Sequence, residues 1–370
     1  VVTGAGKTVF AEMCMLEFRA IYPTGKILIV VPTLALLDQW YVSLQTDLGL
    51  SEDAIALYSG EERASGPRMV NLMVINTARE MAPRVASGSK TLLIVDECHR
   101  AGSPENSRAL AVNQVAALGL SATPKREFDT GFEDLIAPAL GDVIFEYTYA
   151  EARKDGVVSP FDLTNIRVDL LEKEEAEYQG LSRRIARRFR RVGDFQDEEI
   201  IRLLRRRSAV AANAALRAPV AAKIVIENAG AKMIVFHERI RAADQIYSSL
   251  QQRGMSATIY HTGIGPVLRR DNLRLFRAGV FDVLVCCRSL DEGIDVPEAS
   301  VGIIASSTAS NRQRIQRLGR ILRPAPNKTA ARVFTLYATD IEERRLKDES
   351  SRLEDTASVR WAKVSIDRRE

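Results

Sequence analysis

Leu92-Leu93-Ile94-Val95-Asp96-Glu97-Cys98-His99 is the stretch whose reading decides the fold. Four aliphatic residues in a row, with no polar alternation, read as a strand buried on both faces of a parallel sheet. The run stops on two adjacent carboxylates, so both are delivered to the carboxyl end of a strand, where open α/β sheets hold their ligands. The tetrapeptide alone is a weak signal. It gains force from Thr3-Gly4-Ala5-Gly6-Lys7-Thr8 upstream and Gln316-Arg317-Leu318-Gly319-Arg320-Ile321-Leu322-Arg323 downstream.

Gly4, Ala5 and Gly6 permit a tight turn whose backbone N–H groups can surround phosphates, while Lys7 can reach the terminal phosphates and Thr8 can hold Mg²⁺. Val1-Val2 read as the tail of a strand running into this loop, so the sequence is read as a fragment with material upstream. Outward from the loop the pattern repeats. A helix is expected over about 9–20, a strand at Lys26 to Val31, and a helix after Pro32-Thr33 with Leu34, Leu37, Tyr41 and Leu44 at helical spacing. Trp40, on that helix, is read as core packing rather than as a platform for a base. Met73-Val74-Ile75 reads as a strand leading into Asn76-Thr77, and Ala116 to Leu120 as one leading into Ser121-Ala122-Thr123. Strand, small polar loop and helix in repetition argue for a doubly wound sheet with right-handed crossovers.

Composition sets the frame. The 370 residues are 46% hydrophobic with both charge signs abundant, which suits a globular chain of two domains. No apolar run of bilayer length and no signal peptide are read, so a soluble intracellular protein, cytoplasmic or nucleoid-associated and without a membrane partner, is expected. Cys14, Cys98, Cys286 and Cys287 have neither disulfide-framework nor zinc-ligand spacing and are read as reduced packing residues. The net charge of +4 hides an asymmetry: residues 1–150 carry 12 Lys and Arg against 18 Asp and Glu, and the remainder 40 against 30. The basic half is the candidate for a polyanion, although solvated arginines on a surface would give the same count.

Residues 142–161 read as a connection, with Lys154-Asp155-Gly156 and Ser159-Pro160 in it. A charged helical stretch follows from Glu172 to about Leu216. Within it Ile185, Phe189 and Val192 fall on one face, and Arg183, Arg184, Arg187, Arg190 and Arg191 on the other. Either these arginines form a solvated face, or the stretch is a thumb-like insertion in which Arg183, Arg187 and Arg191 grip phosphates. The α/β rhythm then resumes at Met233, Ala257, Val283, Val301 and Val333. The expected domains are 1–146, a linker 147–162, 163–338 with the insertion at about 172–216, and a charged helical tail 339–370.

In these motifs the sequence resembles the superfamily-two helicases and translocases, and most resembles the XPB-like branch. The matching stretches are TGAGKT, VPTLALLDQW, the DECH box, SATP, IVFHE, YHTG, LDEGIDVPEA and QRIQRLGRILRP, in family order from residue 3 to residue 324. Two departures stand out: the adenine-recognising region upstream of the phosphate loop is absent, and Cys98 occupies a position where many relatives carry alanine. The resemblance implies an α/β chain of two tandem RecA-like doubly wound parallel-sheet domains with a helical insertion at the start of the second. It implies ATP and Mg²⁺ as cofactors. Thr3 to Thr8 would bind the nucleotide with Gly293 and Asp295 of the second domain, and Thr8 and Asp96 would hold the metal. Glu97 would activate the attacking water, with Lys7, Gln316, Arg320 and Arg323 stabilising charge at the γ-phosphate. His99, Ser121 and Thr123 would couple the ATP site to nucleic acid, the alternative for His99 being a merely packed side chain. Pro32, Thr33, Asn76, Thr77, His261, Thr262, Gly263 and Ser289 would track the backbone of one strand without reading bases.

These expectations combine into an ATP-dependent helicase or translocase acting on DNA, single-stranded or duplex. Only 18 residues separate Pro297 from Gln316, too few for a strand-separating hairpin beside a strand and a helix start, which leans toward duplex translocation. The alternatives are the motor part of a restriction or phage-defence complex with a nuclease partner or upstream domains, an RNA helicase, and a nucleotide-switched scaffold with little turnover.

Overall fold

The computed structural model describes residues 6–121, 130–155, 161–287, 299–306, 331–350 and 357–364. Two compact units divide them. The first holds residues 6–121 and 130–155 together with Gly265–Arg274, and the second holds the rest.

The first unit is a five-stranded parallel sheet of β1 (Lys26–Val31), β2 (Ile55–Tyr58), β3 (Val70–Val74), β4 (Thr91–Asp96) and β5 (Ala116–Leu120), in the order β2-β3-β1-β4-β5. Its helices are α1 (Lys7–Ile21), α2 (Leu34–Thr46), α3 (Ile75–Ala86) and the short α4 (Ala137–Leu140) and α5 (Tyr149–Lys154). Every residue of β3 and β4 is buried, as expected of strands covered on both faces. One apolar cluster, around Trp40, Ile29 and Leu72, lies on one face of the sheet, and a second, around Leu28, Met73 and Leu93, on the other.

The strand expected at 73–75 ends a residue earlier, at Val74, and Ile75 already opens α3. Asn76 and Thr77 therefore occupy the first turn of a helix rather than a loop. The pairing of Val74 with Val31 sets this end, a long-range constraint that local composition does not carry. The short strand β2 was not expected at all.

The second unit is a seven-stranded sheet, again wholly parallel, in the order β12-β6-β11-β10-β7-β9-β8. Its strands are β6 (Phe161–Val168), β7 (Met233–His237), β8 (Ala257–Tyr260), β9 (Val283–Cys287), β10 (Val301–Ile304), β11 (Ala331–Tyr337) and β12 (Ala357–Val364). The helices are α6 (Glu172–Val192), α7 (Glu198–Ala212), α8 (Arg217–Glu227), α9 (Ile240–Gln252), the last turn of α10 (Pro266–Arg277), which through Arg274 belongs to the first unit, and α11 (Asp340–Ser350). The five strands expected here are present. Two more are added: β6 begins within the stretch read as a linker, and the tail read as helical supplies both α11 and an edge strand, β12, that pairs with β6 along its whole length.

The charged helical stretch is a hairpin rather than one helix. Gly193, at φ 72°, ends α6 in the left-handed conformation that glycine adopts without strain. Asp197 caps α7 by accepting the Ile200 N–H, and its carboxylate also takes two hydrogen bonds from Arg188, 3.1 and 2.8 Å long. Leu181 and Ile185 of α6 pack against Ile200 and Leu203 of α7, with Phe189 beside them, so the apolar face of the stretch is used within the hairpin. Val192 stays 40% exposed. The run Glu198–Glu227 is long and apolar enough by composition to span a bilayer, but half of its most apolar window is buried and it is divided between α7 and α8.

Candidate functional site

The parallel registers of the first sheet align four strand ends on one edge. Val31 pairs with Val74, Val30 with Val95, and Asp96 with Leu120. Residues that follow these ends are thereby gathered: Pro32 and Thr33 after β1, Asn76 and Thr77 after β3, Glu97 to His99 after β4, and Ser121 after β5. Thr33 caps α2, its hydroxyl accepting the Leu36 N–H at 3.3 Å. Gly6 precedes α1 at φ 78°, and Lys7 opens the helix, so the first N–H groups of α1 present the positive end of its dipole. Thr3, Gly4 and Ala5 lie outside the described residues.

Asp96 and Glu97 are both buried, 6% and 8% exposed, which is costly for carboxylates unless donors surround them. Asp96 is held on two sides: its Oδ1 accepts the Glu97 N–H at 2.9 Å and its Oδ2 accepts the indole N–H of Trp40 at 3.0 Å. Glu97 sits at φ 51°, a conformation that no other non-glycine residue adopts among those described. Such strain persists only where neighbours over-determine it, and it turns the chain sharply out of the sheet. The next turn brings His99 Nδ1 to 3.3 Å from Glu97 Oε2 and 3.0 Å from Ser121 Oγ, which joins the expected coupling residues in one chain of contacts. Thr123 lies outside the described residues.

Cys98 points the other way. It is buried, its sulfur lies close to where a side chain on Gly119 would stand, and burial beside Glu97 and Asp96 pushes its thiol up to about 12. The third letter of the box is thus a protonated packing residue. Among the described residues no group of three or more His, Cys, Asp and Glu forms a metal cage. A hydroxyl and carboxylate oxygens at this edge suit Mg²⁺, a hard cation that takes few protein ligands and leans on phosphate and water for the rest.

In the second unit His261 is buried rather than presented outward. Its Nδ1 accepts the Gly263 N–H at 3.0 Å and its Nε2 lies 3.0 Å from Asp244 Oδ1, so the ring pins the turn that leaves Thr262 and Gly263 exposed. The arginines assigned to the insertion, Arg183, Arg187 and Arg191 with Arg184 and Arg190, are all exposed on α6. Sequence reasoning overlooked Arg202, Arg205 and Arg206, equally exposed on α7, although the run from Arg202 to Arg207 carries the same arginine-rich signal. It also overlooked the hydrogen bond from Trp40 and the buried Arg217. The Arg217 guanidinium donates to the carbonyls of Ala211, Ala305 and Leu336 and to the Glu342 carboxylate, tying α7, β10, β11 and α11 together. Ser289, Gly293, Asp295, Gln316, Arg320 and Arg323 lie outside the described residues.

Residues 1–126 match the family "Type III restriction enzyme, res subunit" and residues 217–325 the "Helicase conserved C-terminal domain". The similarity of sequence is to helicases, with Rad25 and XPB proteins among the curated relatives. The "Putative DNA 3'-5' helicase Rad25" of Haloarcula marismortui is 30% identical over 332 residues, 87% of this chain and 47% of the relative. The "DNA 3'-5' translocase XPB2" of Sulfurisphaera tokodaii is 28% identical over 343 residues, 87% of this chain and 73% of the relative. The chain thus spans about half the length of the Rad25 relative. Among solved structures, S. cerevisiae Dbp5 bound to RNA and ADP BeF3 superposes with a TM-score of 0.63 at 14% identity, covering 98% of this chain and 84% of that one, a likeness of fold.

Proposed function

We propose that this chain is the ATP-hydrolysing motor of a DNA helicase or duplex translocase. The observation that carries the reading is the buried pair Asp96 and Glu97 at the end of β4, with His99 in contact with both Glu97 and Ser121. Lys7 and the N–H groups that open α1 bind the phosphates of ATP. Thr8 and Asp96 hold Mg²⁺, which when bound offsets phosphate charge and orients the γ-phosphate. Glu97, its carboxylate kept from bulk water, orients the attacking water and takes its proton. Gln316, Arg320 and Arg323 are assigned to the charge that develops on the γ-phosphate, on the sequence motif alone.

Thr33, Asn76 and Thr77 follow strands on the same sheet edge as the acidic box, with β1 next to β4 and β3 one strand further out, so contacts to a phosphate backbone there lie roughly 5–10 Å in strand spacing from the residues that act on ATP. The His99 link to Ser121 is the route by which the two are coupled. Within the second unit, Thr262, Gly263 and the exposed arginines of α6 are assigned to contact with a phosphate backbone. DNA is favoured over RNA because the Rad25 and XPB relatives are named for DNA. Displacement of a third strand from a triplex by this chain with ATP and Mg²⁺ tests the reading. Release that depends on ATP supports duplex translocation, and no release alongside unwinding of a forked duplex points to strand separation instead.

The match of residues 1–126 to a restriction subunit favours a second setting for the same motor, within a restriction complex. Co-purification of the full-length protein with a nuclease activity would select that setting.

A further inference from the structure

Trp40 is one of only two tryptophans in the chain, and it is wholly buried in the apolar cluster around β1 and β3. A buried indole needs an acceptor for its N–H, and backbone carbonyls are the common choice. Here the acceptor is a side chain 56 residues away, Oδ2 of Asp96 at 3.0 Å. The other oxygen of that carboxylate accepts the Glu97 N–H at 2.9 Å.

The terminal torsion of an aspartate is broad and two-fold, so a free carboxylate would turn through a wide arc. Two donors arriving at its two oxygens fix the plane. Each oxygen retains a second lone pair, which leaves the carboxylate able to accept from a metal-bound water or to ligate the metal while it stays held. Trp40 itself cannot shift easily. It stands in the middle of Ala35–Leu44, a run of ten residues all buried on α2. Packing alone does not account for this arrangement, because a phenylalanine or leucine would fill an apolar site without placing a polar hydrogen on the one carboxylate that the metal requires.

We propose that Trp40 is a positioning residue for Mg²⁺: its indole N–H sets the orientation of Asp96, so that the metal meets a carboxylate already turned to receive it. The proposal rests on the reading of Asp96 as the Mg²⁺ carboxylate. Preorganisation of this kind shows in metal affinity, because the ordering of the side chain no longer has to accompany binding.

The test is Trp40→Phe in the full chain, which keeps aromatic bulk and removes the N–H. Binding of a fluorescent, non-hydrolysable ATP analogue is titrated with Mg²⁺, with thermal unfolding followed in parallel. The half-saturating Mg²⁺ concentration is expected to rise roughly tenfold, as loss of one hydrogen bond to a charged group would give. Analogue affinity at saturating Mg²⁺ should stay near that of the parent. A folded variant with an unchanged Mg²⁺ requirement overturns the proposal.

A second measurement leaves Trp40 in place and decides the matter even if that variant does not fold. In a Trp361→Phe background Trp40 is the sole tryptophan, and adding Mg²⁺ to the analogue-bound chain should change its emission. The change should vanish when Asp96→Asn is added. Emission indifferent to Mg²⁺ overturns the positioning role while leaving the assignment of Asp96 intact. Should Asp96→Asn instead leave the Mg²⁺ requirement unchanged, the reading of Asp96 itself fails, and the Trp40 proposal with it.

Discussion

At the end of β4 two carboxylates are withdrawn from water and each is met by named partners, whereas on α6 and α7 a row of guanidinium groups is left in water on a hairpin with its own small core. The first arrangement is specific. A displacement of well under a hydrogen-bond length would separate Trp40 from Asp96 or His99 from Glu97. The second is tolerant, since a field made of several exposed charges changes little when one of them moves. The two family matches divide along this line: residues 1–126 and 217–325 are covered, and the hairpin lies between them. Chemistry on ATP calls for fixed geometry, while holding a uniform phosphate backbone calls mainly for charge.

If the box works through geometry, Glu97→Gln is the sharpest way to break it. The amide keeps the shape and removes the carboxylate that takes the proton, so ATP should still bind while turnover falls by roughly 10²–10⁴. Single-turnover hydrolysis with a parallel binding measurement checks this. Turnover near that of the parent would move Glu97 out of its role.

Burial of polar groups against fixed partners is not confined to the box, and His237 extends the comparison to the second unit. Burial, with Arg217 and Arg239 close by, holds its imidazole down at about 4 against an ordinary 6.5. Between those values the unfolded chain binds a proton that the folded chain refuses, so this contribution to stability is complete above pH 6.5 and is lost as the pH falls toward 4. The difference corresponds to about 3 kcal/mol. Urea unfolding of the parent and of His237→Asn at pH 7 and pH 4 should show the parent losing about that much more. Equal losses would mean that the imidazole titrates freely.

The hairpin should behave differently. Changing Arg183, Arg187 and Arg191 together to Gln is expected to leave folding and basal ATPase near parental values. Duplex DNA binding should weaken, and the slope of log affinity against log salt should flatten by up to about 0.9 for each phosphate that an arginine no longer neutralises. An unchanged slope would leave these arginines as a solvated face.

How much of this was legible in the sequence follows from the range of the interactions. The acidic box and the strand ends were readable because a strand, its polar end and the following helix are neighbours in the chain. β6 lies between β11 and β12, both far along the chain, and β12 pairs with β6 alone, so neither β6 nor β12 reads as a strand of this sheet until the long-range pairing is made. Trp40 read as core packing, which it is; its bond to a residue 56 positions away was invisible. The partners of Arg217 at Ala305, Leu336 and Glu342 lie 88, 119 and 125 residues away, and in the sequence it was one arginine among many. The hairpin turn was missed for another reason: Gly193 and Asp197 are ordinary stop and start signals, outweighed by the continuous charge around them.

The central claim is that contact with nucleic acid drives the chemistry at the end of β4. Steady-state ATP hydrolysis by the chain alone, and with single-stranded DNA, duplex DNA and RNA in turn, tests it most directly. Slow hydrolysis alone that rises with DNA, most with duplex, is the result this account predicts. Hydrolysis that is absent throughout, or the same with and without every nucleic acid, would contradict it.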